Sequence, residues 1–533
     1  MSDEVRNKEM GVTDAIPFYQ NLFEKTKQQF ANDHLFDDNA KIEIRENSFE
    51  QIVKELEIYN LSTTSDDVKG IAFEKFLGKT FRGELGQFFT PRTIVDFMVS
   101  ILDPQEGELV CDPCCGSGGF LIKTFEYARE KIEKDIERQK EEIKAEWYGE
   151  DYDNMSNKKK QKIEAEVAQT FSYLNEELNI NNETGRLRSL SFDCIYGTDA
   201  NPRMARTAKM NMIMHGDGHG GVHHHDGLLN VNGIFENRFD IILTNPPFGA
   251  RVEKDLKISE ADRFTDEAKI EAYVNRYGEA YKQALRQVND HIGKSLLSLY
   301  NIDSSLTEVL FIERCLNLLK PGGRMGIVLP EGVLNNTNLQ KARDFVEGKA
   351  KILLIVSIPQ DVFIASGATV KPSLLFFKKF TEDEAATYSQ IQSEAQIAVT
   401  SKYQEKIDEL QEKLKLKGNE ALSKEEKKVC RAKLKALREK METEVKTVVK
   451  EKFDYEIPIA EIQKAGISTT GAEIENELIP LAKEFTPYRI ENKLWGVPFK
   501  TFKYQTDEDG NAFRLRMSDG IVSEPELFYN VKK

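Results

Sequence analysis

Long apolar runs are missing from this 533-residue chain. None approaches the roughly 20 consecutive apolar residues a membrane-spanning helix needs, which excludes that class of protein. The first ten residues, MSDEVRNKEM, lack the apolar segment of a secretory signal. Cysteine is scarce. Cys111, Cys114, Cys115, Cys194, Cys315 and Cys430 are scattered without metal-ligand spacing, and the adjacent Cys114 and Cys115 suit a compartment that keeps thiols reduced, so a cytoplasmic location is expected. Five histidines gather between His215 and His225 (with His219, His223 and His224) but have no helical spacing and no accompanying Cys or Glu ligand set, so a Gly-rich polar loop explains them better than a metal site. Positive charge is also short, with 74 Lys and Arg against 89 Asp and Glu, a net charge of −15. Gripping a polyanion takes Lys and Arg. A chain with this balance must cluster its basic residues on one face or rely on a partner for the grip.

What is present is enough for several domains: 40% hydrophobic residues for cores and 31% charged residues for solvated surface. Residues 1–80 read as a polar helical region, with apolar residues at helical spacing in Phe49, Ile52, Val53 and Leu56 and again in Val68, Ile71, Ala72 and Phe76, the second set capped by Asp66 or Asp67. From 81 to 380, strands (Glu108–Asp112, Cys194–Gly197, Phe239–Leu243, Arg324–Leu329, Ile352–Ile358, Ser373–Lys378) alternate with helices (Thr93–Leu102, Gly119–Tyr127, Pro202–His215, Leu306–Leu319, Asn338–Gly348). That alternation predicts a doubly wound, mostly parallel sheet, which binds ligands beyond the C-terminal ends of its strands. Charged insertions interrupt it at 126–190, read as a helical protrusion, and at 250–300, which carries Tyr273, Tyr277, Tyr281 and Tyr300. Within 381–452, the three-four spacings of Ile407, Leu410 and Leu414 and of Leu434, Leu437 and Met441 predict a charged helical hairpin, its second arm capped by Ser423 with Glu426. Residues 453–533 form a C-terminal region with two aromatic clusters, Trp495–Phe499 and Phe528–Tyr529.

Five short motifs carry chemistry. Asp112-Pro113-Cys114-Cys115-Gly116-Ser117-Gly118-Gly119-Phe120 follows a strand and opens a helix. It is neither the G-x-G-x-x-G of dinucleotide sites nor a P-loop. An acidic residue before a G-x-G-G turn suits a cationic cofactor, with Asp112 facing the ammonium of a methionine moiety. The plain alternative is an ordinary strand-to-helix turn. Asp199 ends the next strand, where a carboxylate accepts ribose hydroxyls; the usual offset of about 20 residues is stretched by the 126–190 insertion. A helix N-cap before Pro202 is the other reading of Asp199. Asp226 stands where a third strand ends and would accept from the amino group of a cofactor adenine. Asn245-Pro246-Pro247-Phe248 closes an apolar strand. The Asn245 side-chain oxygen and the Pro246 carbonyl can each take one hydrogen bond from a planar amino group, which favours a nitrogen whose lone pair points at an electrophile. The prolines fix φ and hold the acceptors still, and Phe248 offers a stacking face worth about 1–3 kcal/mol per base. Upstream, Gly86-Gln87-Phe88-Phe89-Thr90-Pro91-Arg92 provides Thr90 as a cap for a helix starting at Pro91, with Phe88 and Phe89 either core or packed against a cofactor.

With these elements in this order, residues 50–380 resemble an N6-adenine DNA methyltransferase, more narrowly the M (methylase) subunit of a type I restriction-modification system. The matching stretches are GQFFTPR (86–92), DPCCGSGGFL (112–121), YGTDANPRMARTAKMNMIMHG (196–216), ILTNPPFG (242–249) and LKPGGRMGIVLPEGVL (319–334). The resemblance implies a class I S-adenosylmethionine-dependent methyltransferase fold, a Rossmann-like doubly wound sheet with a helical N-terminal region and a C-terminal helical hairpin. It implies S-adenosylmethionine as cofactor, contacted by Gln87 to Arg92, Ser117 to Gly119 and Asp199. It implies that Asn245 to Phe248 hold an adenine flipped out of double-stranded DNA. Such subunits read no sequence themselves; a separate specificity subunit does, a restriction subunit can join, and the 402–451 hairpin is a candidate docking element. The region before the catalytic part is shorter than the helical domain typical of the family. An N-P-P-F/Y motif also serves methylation of RNA guanine and protein glutamine, and a non-catalytic scaffold subunit is a further alternative.

Overall fold

The computed structural model describes residues 17–29, 36, 39–59, 90–216, 221–364, 370–416, 422–496, 501–507, 511–518 and 521–529. Its centre is an eight-stranded sheet: β1 (Val110–Asp112), β2 (Ile195–Asp199), β3 (Val222–His224), β4 (Phe239–Thr244), β5 (Leu319–Pro330), β6 (Ala350–Ser357), β7 (Pro372–Lys379) and β8 (Ile459–Glu461), in the spatial order β3-β2-β1-β4-β5-β7-β6-β8. The run β3-β2-β1-β4-β5 is mutually parallel, as are β6 and β8; β7 alone runs antiparallel, paired to both β5 and β6. All six strands expected from the sequence form. The strand implied before Asp226 is β3, only three residues long.

Side-chain alternation explains how the sheet is covered on both faces. On β7, Leu374 and Phe376 join one core with Ile241 and Leu243 of β4, Val328 of β5 and the buried stripe Ile94, Phe97, Met98 and Ile101 of the helix Arg92–Leu102. Leu375 and Phe377 point the other way, into a second core with Ile242, Met325, Ile327 and the helix Thr307–Leu318. A third core packs the start of the helix Gly119–Trp147 against Ala208 and Met212 of the helix Pro202–Met214. The former runs 20 residues beyond the expected Tyr127, so the 126–190 protrusion is an extension of a core helix with the helix Asn157–Glu176 beside it.

The hairpin is longer than its heptad-like stretches: Glu382–Lys415 and Lys424–Lys452 are both helical, each begun by a capping box (Thr381 with Glu384, Ser423 with Glu426). Its packed seam sits nearer the sheet than expected, at Ala395, Val399, Tyr403, Met441, Val445 and Val449. The chain after the hairpin is not separate from the catalytic part. It adds β8 beside β6 and lays the helix Leu478–Glu491 against Arg92–Leu102, with Leu478, Phe485 and Trp495 in the first core. It ends in a small antiparallel sheet (Thr501–Thr506, Ala512–Ser518, Ile521–Val522, Glu526–Tyr529) on the 126–190 protrusion. In the N-terminal region the helices Phe18–Gln29 and Glu46–Leu56 are present; Asp66, Asp67, Val68, Ile71, Ala72 and Phe76 lie outside the described residues.

Candidate active site

The order of the sheet reverses between β1 and β4, and the loops leaving their C-terminal ends lie side by side there, where open α/β sheets hold ligands. After β1 the chain turns sharply through 113–118. Cys115 N–H donates to the Thr198 carbonyl (2.8 Å), Gly116 N–H to Asp199 Oδ2 (3.1 Å) and Asn211 Nδ2 to the Ser117 carbonyl (3.0 Å). Gly118 has φ +87°, a left-handed conformation that favours glycine, and Gly119 opens the helix, whose first N–H groups have no partner within it. Above Gly116 the space is open: a Cβ there meets nothing within 4 Å.

Asp199 is doubly employed. Besides the turn, its Oδ1 accepts from Asn201 N–H (2.7 Å), while Asn201 itself caps Pro202–Met214 by accepting from Arg203 N–H (2.9 Å). The N-cap is therefore Asn201, not Asp199. Burial raises the Asp199 carboxyl above the usual range. Asp226 Oδ1 accepts from Leu228 N–H (2.9 Å), and the following residue sits hard against the turn: a Cβ on Gly227 would be 1.9 Å from the Pro113 carbonyl oxygen. Buried Arg314 secures this loop, donating to the carbonyls of Gly227 (2.9 Å) and Leu229 (2.7 Å) and to Asn230 Oδ1 (2.7 Å). The ends of β1, β2 and β3 thus converge despite the long stretch of chain between β1 and β2.

Asp112 faces inward, 2% exposed. Its Oδ1 accepts from Thr244 Oγ1 (2.7 Å) and Cys114 N–H (3.0 Å), so it ties the end of β1 to the residue before Asn245. Burial pushes its carboxyl up to about 7, against the pull of those hydrogen bonds, and the charge of Asp199 adds to the rise.

The Asn245 amide is held at one end only. Nδ2 donates to Thr90 Oγ1 (3.0 Å), and Oδ1 is buried with no partner. A buried carbonyl oxygen without a donor is uncommon and costs stability. Pro246 is buried, Pro247 exposed, and Phe248 packs against the first core. Gly249 N–H donates to Glu308 Oε2 (3.2 Å), which fixes the far end of the tetrapeptide; burial raises the Glu308 carboxyl.

Thr90 does not cap a helix, contrary to expectation. The N-cap position is Pro91 with no side-chain cap, and Arg92 opens the helix Arg92–Leu102. Gln87, Phe88 and Phe89 lie outside the described residues. Thr244, Thr198, Glu308 and Arg314 were not singled out from sequence. Thr244 alone carried a signal, as the inward-facing hydroxyl immediately before the motif; Glu308 and Arg314 come from a helix more than 50 residues downstream and gave none. Of the histidines, His223 Nδ1 meets Asn232 Nδ2 (3.1 Å) and His224 Nε2 the Ala200 carbonyl (3.1 Å), while His219 lies outside the described residues. Among the described residues no three His, Cys, Asp or Glu side chains group where a metal could be held, and no helix is long and apolar enough to cross a membrane.

Comparison with known proteins identifies the family. The family model for N-6 DNA Methylase matches residues 64–160, 168–295 and 276–456, well over half the chain. The chain belongs to the N-6 DNA methylase family. Among curated relatives of this methylase, the type I restriction enzyme EcoEI methylase subunit of Escherichia coli is 24% identical over 373 residues, covering 69% of this chain and 58% of the relative. The StySPI methylase subunit of Salmonella potsdam is 24% identical over 304 residues, covering 56% and 41%. The chain thus spans about half the length of the curated relatives it matches. The solved structure of the M protein of type I restriction enzyme EcoKI aligns with 72% of this chain and 66% of its own at 18% identity and a TM-score of 0.34.

Proposed function

We propose that this methylase transfers a methyl group from S-adenosylmethionine to N6 of an adenine in DNA, as the modification subunit of a type I restriction-modification complex. The observation that carries the reading is the buried, unpartnered Oδ1 of Asn245, beside a glycine turn in a chain of this family.

The residues around β1 to β3 fit the cofactor. The open space at Gly116 and the free N–H groups at the start of Gly119–Trp147 make a cradle. Asp199 would accept ribose hydroxyls with the remaining lone pairs of its carboxylate and Asp226 would accept from the adenine amino group, while Asp112, buried behind the turn, braces it against Thr244. Ser117, Gly118 and Gly119 would follow the cofactor's backbone, as would Pro91 and Arg92, and the family resemblance extends that role to Gln87, Phe88 and Phe89. Bound there, S-adenosylmethionine supplies an electrophilic methyl group on a sulfonium.

The chain's own residues prepare the nucleophile. The target adenine leaves its duplex stack. Asn245 Oδ1 and the Pro246 carbonyl each accept one N6 hydrogen, which draws the nitrogen away from planarity and points its lone pair at the methyl group. Pro247 holds the chain direction and Phe248 stacks on the base. Attack is an in-line displacement for which positioning is the main contribution; the N6 proton leaves after transfer, so no base is required beforehand. Sequence choice falls to a specificity subunit, consistent with the net charge of −15, and a restriction subunit completes the assembly.

The test is methyl transfer from labelled S-adenosylmethionine by the full chain, alone and with its neighbouring gene products, to DNA, RNA and protein offered separately. Label on adenine N6 in DNA is expected, and Asn245→Ala should lower transfer by about a hundredfold or more while cofactor binding persists. Label confined to RNA or to protein would overturn the reading.

A further inference from the structure

We infer that Thr90 is a positioning residue for the Asn245 amide rather than a cofactor contact or a helix cap; the inference rests on the function proposed for Asn245. Three observations place its hydroxyl on that task. The helix Arg92–Leu102 has its N-cap at Pro91 without any side-chain cap, so the Thr90 hydroxyl is not engaged there. It accepts instead from Asn245 Nδ2 at 3.0 Å, across 155 residues of sequence. And the amide's other end, Oδ1, is buried without a partner.

Thr90 is well placed to hold an amide still. Preceding a proline, its backbone is confined to extended conformations, and its β-branched side chain has few χ1 choices. The helix it leads into buries Ile94, Val95, Phe97, Met98 and Val99 in the same core that receives Ile241 and Leu243 of β4. The hydroxyl and the end of β4 therefore sit on one rigid body.

The chemistry follows from the two ends of the amide. Turned by 180°, Asn245 would present Nδ2 to an incoming amino group, donor against donor. With Thr90 accepting from Nδ2, both ends are satisfied once an N–H arrives at Oδ1. Without the hydroxyl, Nδ2 loses its acceptor and the amide plane has no anchor.

The experiment compares Thr90→Val, of the same shape but unable to accept, with Thr90→Ser, which keeps the acceptor, using the full chain in the assembly in which the wild type methylates DNA. For Thr90→Val, kcat should fall about tenfold, the loss expected for one hydrogen bond, with S-adenosylmethionine affinity and the KM for DNA unchanged; Thr90→Ser should restore kcat. A wild-type kcat in Thr90→Val would overturn the inference. So would a loss of cofactor affinity large enough to explain the lost activity, because Thr90 would then act on the cofactor. If Thr90→Val does not fold, Thr90→Ala against Thr90→Ser gives the same comparison, and equal rates for the two overturn it. A wild type that transfers no methyl group to adenine defeats the reading of Asn245 itself, an outcome distinct from a failure of Thr90 alone.

Discussion

At the residue scale, Asp112 shows how one side chain can be costly and retained. Its carboxylate sits 2% exposed, where ionisation is penalised, yet its Oδ1 joins β1 to Thr244 on β4, one residue from Asn245. Its folded pKa is raised to about 7 from an ordinary value near 3.8. A raised pKa means the native state holds the proton longer than the unfolded chain. The associated stability is fully present below the unfolded value and is lost as pH rises through about 7. Asp112→Asn keeps an oxygen for Thr244 and Cys114 but cannot ionise. Its melting temperature should therefore exceed that of the wild type at pH 8, and the gap should close as pH falls to 4. Thermal melts of both proteins across that range check this; a gap that stays constant with pH would contradict it.

At the element scale, the ends of β1, β2 and β3 that carry Asp112, Asp199 and Asp226 are tied together, Cys115 and Gly116 N–H donating to Thr198 and Asp199 and His225 N–H to the Asp199 carbonyl. Gly227 is the tightest of these joints, since a side chain there would overlap the Pro113 carbonyl. Gly227→Ala must push the Asp226 loop off the glycine turn or shift the turn itself. Buried Arg314 opposes the first outcome by holding Gly227, Leu229 and Asn230. We expect a loss of about 1–3 kcal/mol in stability, the range for overpacking, and at least a tenfold weaker binding of S-adenosylmethionine, equivalent to about 1.4 kcal/mol. Chemical denaturation and calorimetric titration measure the two, and wild-type affinity in a folded variant would show that the Asp226 loop plays no part in cofactor binding.

At the scale of the whole molecule, the C-terminal region acts as a strap rather than an appendage. After contributing β8 and the helix Leu478–Glu491, it crosses to the 126–190 protrusion. There Arg514 Nη1 donates to both oxygens of the fully buried Glu177 (3.0 and 2.7 Å). Arg186 is likewise enclosed, paired with Glu106 and Asp135 and stacked on Phe502. Burial raises the Glu177 carboxyl even with its arginine present. Removing that partner leaves the buried Glu177 only the Arg186 N–H (3.0 Å) and the more distant Arg186 charge, so Arg514→Ala should destabilise the protein by about 3 kcal/mol. Equilibrium unfolding would show it; an effect near zero would mean the terminal sheet is not docked in solution.

Much of this protein was readable along the chain. Apolar alternation in β4 and β7 and helical stripes such as Ile94 to Leu102 are local periodicities, and periodicity alone dictates element type and the doubly wound class. The G-x-G-G turn and the Asn-Pro-Pro-Phe segment were equally legible as local structure, and the sheet sets them side by side at the ends of β1 and β4. Tertiary structure decided what local pattern could not encode: that β7 inserts antiparallel between β5 and β6, that Thr90 turns from helix cap to amide anchor, that Asp112 faces Thr244 rather than an opening, and that the last strands return to the 126–190 protrusion. Each depends on a contact between segments from tens to several hundred residues apart. Such a contact is selected by the burial and hydrogen bonding of the assembled core, and no single stretch of sequence carries it.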